Sequence, residues 1–240
     1  ETPSSPPGGR VEAPLQIVLS RDALELQEDL TVAVVVSASY RSGGREYRRE
    51  TEIATTLHRR SALIWDDSAR LASFVTPNED VVAGFALRSL ATGVVGGGSP
   101  RNGPLAQLES LSGVLPRAMR IADALGQYGI AYVEDPQSPF SEVQGRAQAV
   151  DTVRFPRTTL YYRSGDCDDT SALLASMYEA AGIQTAIVTT PGHVLIAIDI
   201  REPAGNRWMY ESATTTVIEH GGTLWLPVET TVVSDGFATA

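Results

Sequence analysis

Ser164-Gly165-Asp166-Cys167-Asp168-Asp169 opens a run, SGDCDDTSALLASMYEAAG over residues 164–182, that predicts the clearest helix in the chain. Leu173, Leu174, Met177, Tyr178 and Ala181 recur at helical spacing, and Gly182 supplies a stop. Ser164 or Asp166 can cap the orphan amides, which puts Cys167 in the first turn. A thiol there feels the positive end of the helix dipole, which favours thiolate. Asp166, Asp168 and Asp169 act in the opposite sense, because nearby negative charge raises a thiol pKa. A reactive Cys167 therefore needs a cationic or basic partner, for which histidine is the usual choice.

Three histidines are available. His58 lies beside Arg59-Arg60 and reads as a surface residue, and His220 precedes Gly221-Gly222 and reads as a hairpin tip. His193 follows Pro191-Gly192 and opens Val194–Ile200, a predicted strand next to one at Thr185–Thr189. A histidine at a strand mouth after a turn is well set to meet a cysteine at a helix start. A third group must orient the imidazole. Asp199 sits too far along the same strand. Glu211 ends Arg207–Tyr210, read as a hairpin partner of the His193 strand, and Glu229 ends Leu224–Val228, the next strand. Residue patterns alone leave Glu211 and Glu229 as alternatives.

Working outward, the 240 residues carry 29 acidic and 19 basic side chains, a net charge of -10, so a basic nucleic-acid-binding stripe is not expected. All the cations are arginine; the absence of lysine removes Schiff-base, Ser/Lys and P-loop chemistry, each of which needs an amine. A single cysteine forms no internal disulfide. No apolar run reaches membrane-spanning length. Residues 1–14 are rich in Pro, Gly and Ser and read as a flexible leader. Residues 15–75 read as a small β-rich unit, with strands at Ile17–Leu19, Leu30–Ser39 and Glu52–Leu57 and a turn at Arg41–Gly44. The six arginines between Arg41 and Arg60 read as a solvated face. Residues 76–240 read as a second domain. Thr76-Pro77-Asn78-Glu79 predicts a helix start with Thr76 as cap, followed by an apolar face of Val81, Val82, Phe85, Ala86 and Leu90. Gly93–Pro104 reads as a glycine-rich connection, Leu105–Leu111 as a short helix, Pro116 as the start of another closed by Gly126 or Gly129, and Asp135–Pro139 as a turn-rich excursion. No EF-hand spacing occurs. Asp166, Asp168 and Asp169 read as helix-start residues, so no cofactor is expected, with Ca²⁺ as the minor alternative.

The chain resembles the transglutaminase-like family of papain-type cysteine enzymes. The likeness rests on Gly165-Asp166-Cys167-Asp168-Asp169, then Pro191-Gly192-His193, then Trp225-Leu226-Pro227-Val228-Glu229-Thr230-Thr231, with Glu229 where the family more often has Asp. Phe74–Pro77, Asp135-Pro136, Asp151–Leu160 and Gly236-Phe237 fit a bacterial, envelope-associated branch. The resemblance implies an α+β fold: a papain/transglutaminase-like core, with the cysteine helix packed on an antiparallel sheet, over residues 76–240. It implies Cys167 as nucleophile, His193 as general base and acid, Glu229 as orienting carboxylate with Glu211 as the rival, and the Cys167 backbone N–H as an oxyanion donor. It implies acyl transfer or hydrolysis at peptide or side-chain amides of a protein or peptide substrate. The alternative is a catalytically silent module that binds a protein or peptide in its groove. A periplasmic or envelope location, and membership of a longer chain, are further expectations.

Overall fold

The computed structural model describes residues 12, 16–91, 113–135, 149–212, 215–237 and 239. The readings made on the leader (Glu12 apart), Gly93–Pro104, the Leu105–Leu111 helix and Pro136–Pro139 lie outside the described residues. Residue contacts divide the chain into two units, Glu1–Arg60 and Ser61–Ala240.

In the first unit a single helical turn, α1 (Arg21–Leu24), is capped by the Ser20 hydroxyl, which accepts the Ala23 N–H at 3.2 Å. A long antiparallel ribbon follows, β1 (Leu30–Ser42) with β2 (Arg45–Leu57), in register from Leu30↔Leu57 to Ser42↔Arg45. That register leaves Gly43-Gly44 as a two-residue turn with both φ positive (57° and 78°), the geometry that matches the twist of the flanking strands. Val32, Val34 and Val36 pair with Thr55, Ile53 and Thr51 on one face, and Tyr40 stacks on Tyr47 near the tip. Arg41, Arg45, Arg48 and Arg49 are exposed on the ribbon, and Arg60 pairs with Glu25 at 2.8 Å. Ile17-Val18-Leu19 differs from expectation: it is exposed and outside any strand, since β-branched residues extend a chain but form a strand only with a ladder partner.

The second unit is α+β. Its elements are β3 (Ala62–Ile64), a 3₁₀ turn (Ser68–Phe74), α2 (Asp80–Ala91), α3 (Val114–Tyr128), β4 (Ala131–Tyr132), β5 (Val150–Thr152), α4 (Pro156–Tyr162), β6 (Ser164–Gly165), α5 (Cys167–Ala180), β7 (Thr185–Thr190), β8 (His193–Pro203), β9 (Ile218–His220) and β10 (Thr223–Val228). The main sheet runs β7-β8-β10-β9, antiparallel throughout. β3 pairs with β5, Leu63 opposite Asp151, so residues after Ser61 belong to this unit and the division falls ahead of the expected 75/76 boundary.

The α5 helix is buried on every side from Cys167 to Tyr178, not along one stripe. Leu173, Leu174, Met177 and Tyr178 join Ile196, Ile198 and Ile200 of the sheet and Leu115, Ile121 and Leu125 of α3 in the larger core. Cys167 and Ala172 join a smaller one with Leu63, Trp65, Leu71, Phe74, Val153 and Val194. A helix enclosed in this way must find a partner for each polar side chain it carries. Ser176 does so by accepting the Thr76 N–H at 2.8 Å and donating to the Ala172 carbonyl at 2.6 Å.

Three boundaries differ from the sequence reading. α2 begins at Asp80, one turn after Thr76, because Thr76 closes a turn onto Glu79 and is tied to Ser176; Val81 is exposed. α3 begins at Val114, ahead of Pro116, and ends at Gly129 with φ +87°. Arg207–Tyr210 is not a strand: Ala204–Met209 forms a 3₁₀ turn whose Arg207 carbonyl accepts the Tyr210 and Glu211 amides, and β10 takes the place beside β8.

Candidate active site around Cys167

Asp166 is the N-cap of α5. Its extended backbone (φ -90°, ψ -161°) lets the carboxylate accept the Asp169 N–H at 3.3 Å, while its carbonyl accepts the Thr170 N–H at 3.0 Å. Cys167 therefore starts the helix, as its spacing predicts, but it is only 4% exposed. Burial pushes its thiol up to about 11, and the Asp166 carboxylate adds to the rise. The backbone N–H groups of Val194, Asp168 and Cys167 oppose that rise by favouring thiolate. Those donors surround the sulfur, and the first of them belongs to the residue after His193.

β8 begins at His193, with Thr190↔His193 closing the ladder to β7 and Gly192 (φ +74°) making the turn. β10 runs beside β8 with Val228 opposite Ile196, so the next residue, Glu229, comes alongside the start of β8. His193 Nε2 and Glu229 Oε2 are 2.6 Å apart, each side chain about one-third exposed (32% and 33%). The second oxygen, Oε1, accepts the Thr231 N–H at 2.9 Å and the Thr231 hydroxyl at 2.7 Å. Partial burial pushes the Glu229 carboxyl up, but the two Thr231 bonds and His193 outweigh it, and the net direction is downward. A carboxylate so held fixes the imidazole through Nε2 and leaves Nδ1 to exchange a proton.

Of the two carboxylates left open by the sequence, Glu229 meets His193. Glu211 pairs instead with Arg207 at 2.6 Å, one helical turn before it. Asp199 accepts the Arg201 N–H at 2.8 Å within β8. His58 contacts Asp29 at 3.0 Å in the first unit, and His220 sits edge-on to Trp225.

Several groups at the site were not singled out from the sequence. Thr230 is fully buried, and its hydroxyl meets those of Thr170 (3.1 Å) and Ser171 (2.9 Å), which ties the Glu229 segment to the cysteine helix. The Thr-Thr pair after Glu229 was the available signal. Arg154 donates its backbone N–H to Asp169 Oδ1 at 2.6 Å, and its guanidinium lies 3.4 Å from Oδ2. Tyr132 pairs in parallel register with Gly165, two residues before the cysteine; burial and then the charge of Cys167 push its hydroxyl pKa up. One carboxylate oxygen from each of Asp166, Asp168 and Asp169 lies within 4.8 Å of the others.

No family model matches the chain, and no curated protein matches it. A solved structure that does match is a crystal structure named as that of a "putative protease" from Parabacteroides distasonis, 12% identical, with a TM-score of 0.35. The match covers 72% of this chain and 36% of that one, so the chain spans about a third of that protein's length. A likeness of this size carries no argument about fold or activity.

Proposed function

We propose that the second unit is a papain/transglutaminase-like core and that Cys167, His193 and Glu229 act together on amide bonds of a protein or peptide. The observation that carries this reading is the 2.6 Å contact between His193 and Glu229, made on strands adjacent to the buried end of the cysteine helix. With Nε2 engaged by Glu229, Nδ1 is the nitrogen left to accept the thiol proton. The sulfur attacks the amide carbonyl; the carbon–nitrogen bond breaks, and the amine leaves with the proton held by His193. Water or a second amine then attacks the thioester, giving hydrolysis or transfer. The N–H groups of Val194, Cys167 and Asp168, which already favour negative charge on sulfur, are the donors nearest to hand for an oxyanion. Placement in the bacterial envelope belongs to the same reading.

A second reading, a groove that binds a peptide without cleaving it, draws on the depth of Cys167 and the upward push on its thiol. One experiment separates the two: incubation with a library of peptide acyl donors and a labelled amine, followed by mass spectrometry of the intact chain and of the Cys167 peptide. Catalysis gives an acyl adduct on Cys167, or labelled product, and His193→Ala abolishes it. Peptide retained equally by wild type and Cys167→Ala, with no adduct or product from any donor, overturns the catalytic reading.

A further inference from the structure

Thr170, Ser171 and Thr230 are all buried, and their hydroxyls meet one another. Thr170 Oγ1 lies 2.6 Å from the Asp166 carbonyl and 3.1 Å from Thr230 Oγ1, and Ser171 Oγ lies 2.9 Å from Thr230 Oγ1. Each hydroxyl has a single proton to give. A carbonyl only accepts, so the Thr170 proton goes to Asp166, Thr230 donates to Thr170, and Ser171 donates to Thr230. That order fills every short contact and leaves no hydroxyl idle, as a site closed to water demands. Two longer contacts flank the chain of hydroxyls. Thr170 Oγ1 is 3.4 Å from the Cys167 carbonyl, and Ser171 Oγ is 3.4 Å from the Val194 carbonyl. The cluster thus touches the cysteine itself, the residue after His193 and the residue after Glu229.

We propose that Thr170, Ser171 and Thr230 are positioning residues for acyl transfer at Cys167, and that their hydroxyl chain sets the distance between the thiol on α5 and the His193–Glu229 pair on the sheet. This role rests on the Cys167/His193/Glu229 reading. Strand pairing cannot fix that distance. The β8–β10 ladder ends at Val228↔Ile196, one residue short of Glu229, and a helix shares no ladder with either strand. Nor do the bonds of the Glu229 carboxylate fix it: His193 and Thr231 orient the group, but both belong to the sheet side of the site. Thr230 supplies the missing link. It follows Glu229 directly, so one stretch of backbone carries a half-exposed carboxylate facing His193 and a buried hydroxyl bonded to α5. Ser171 extends the link to Val194, whose backbone N–H favours negative charge on the Cys167 sulfur. Proximity chemistry depends on such a coordinate, because reacting atoms must be held about 3–3.5 Å apart.

The test uses the whole chain and two readouts. Acylation of Cys167 by the most reactive peptide donor is timed well below each variant's melting temperature. Nitrogen NMR of isotope-labelled histidine rings reports the His193–Glu229 contact; with three histidines in the chain, the His193 signals are those lost in His193→Ala. Thr230→Val keeps the volume and deletes the hydroxyl, and Thr230→Ser restores one. Ser171→Ala removes the head of the chain at a helical position where alanine is well tolerated, which keeps the test open if Thr230→Val folds poorly. Expected in both deletion variants is a fall of about 10- to 100-fold in the rate at saturating peptide, with the half-saturating concentration little changed, since a misplacement of about 1 Å has an effect of that order. The His193 ring shifts in Thr230→Val move toward those of Glu229→Gln, and Thr230→Ser recovers both rate and shifts. A merely structural cluster lowers the melting temperature and leaves rate and shifts as in wild type. Wild-type rates in the deletion variants, or a loss that Thr230→Ser does not recover, overturn the proposal. If wild type itself yields no adduct from any donor, the catalytic reading falls, and the ring shifts alone decide whether the cluster sets His193 against Glu229: unmoved shifts in Thr230→Val refute it.

Discussion

Thr231→Val isolates how the Glu229 carboxylate is held. The substitution keeps volume and the backbone N–H, and removes only the hydroxyl that donates to Oε1 at 2.7 Å. A hydrogen bond to a charged acceptor contributes about 1.5–3 kcal/mol. Glu229 is one-third exposed, and water replaces part of that interaction, so the contribution falls below that range and the expected loss is about 1 kcal/mol at pH 7. The pH dependence follows from the downward direction of the Glu229 pKa. A depressed carboxyl contributes stability above its unfolded value of about 4.3, and that stability is lost as pH falls through the lower folded value. The cost of Thr231→Val must therefore shrink in acid, once Glu229 is protonated and the donor faces a neutral group. All three tryptophans, Trp65, Trp208 and Trp225, lie in the Ser61–Ala240 unit, so urea unfolding followed by their fluorescence reports on the unit that holds the site. For a unit of this size about 1 kcal/mol corresponds to roughly 2–4 °C in melting temperature. A double-mutant cycle with Glu229→Gln should give a coupling near the single-mutant loss. A loss that is the same at pH 7 and in acid, or one that adds fully to that of Glu229→Gln, would refute the claim that the hydroxyl acts on the carboxylate.

Thr230→Val leaves the buried hydroxyls of Thr170 and Ser171 short of a partner and should lower stability by about 1–3 kcal/mol, read by the same urea titration; an unchanged midpoint refutes the link between the Glu229 segment and α5. Gly165→Ala would set a Cβ 2.6 Å from the Asp169 Cβ and 3.1 Å from Thr159 Cγ2, an overpacking expected to cost about 1–3 kcal/mol; wild-type thermal stability in this variant would show that the β6 backbone yields freely. In the first unit, Gly44→Ala forces a Cβ onto a backbone with φ +78° and should weaken the hairpin by about 1 kcal/mol. Far-UV circular dichroism would detect it, and no change would refute the turn geometry.

The elements that carry the site were legible because each had a local signature. The Asp166 cap and the apolar spacing through Tyr178 define α5; Pro191-Gly192 defines the turn before β8; the apolar run Leu224–Val228 after Gly221-Gly222 defines β10. Pairing was harder. Nothing local distinguishes Arg207–Tyr210 from a strand edge, and its 3₁₀ turn depends on the Arg207 carbonyl accepting two amides and on the Arg207–Glu211 ion pair. That one misreading kept Glu211 in contention, because a strand there would have carried its carboxylate toward His193. Thr76 failed as a cap for a related reason: its backbone bonds Ser176, a hundred residues away in sequence, and no window of neighbouring residues contains that contact.

Asp168 shows where a local reading stops and why. Three acids at a helix start are explained by the dipole as long as the helix end is solvated. A helix has one N-cap, however, and Asp166 fills it. Once α5 is known to be enclosed on all sides, each of its polar residues must be matched to a partner. Thr170 reaches the Asp166 carbonyl and Thr230, Ser171 reaches Thr230, Ser176 reaches Ala172, and Asp169 reaches Arg154. Asp168 alone among them finds no donor. The same enclosure that brings Cys167 against Val194 thus turns an ordinary helix-start acid into a buried carboxyl with no donor, which burial pushes toward its neutral form. For that reason the thiol and the acidic cluster are consequences of a single packing decision, made where α5 enters the core.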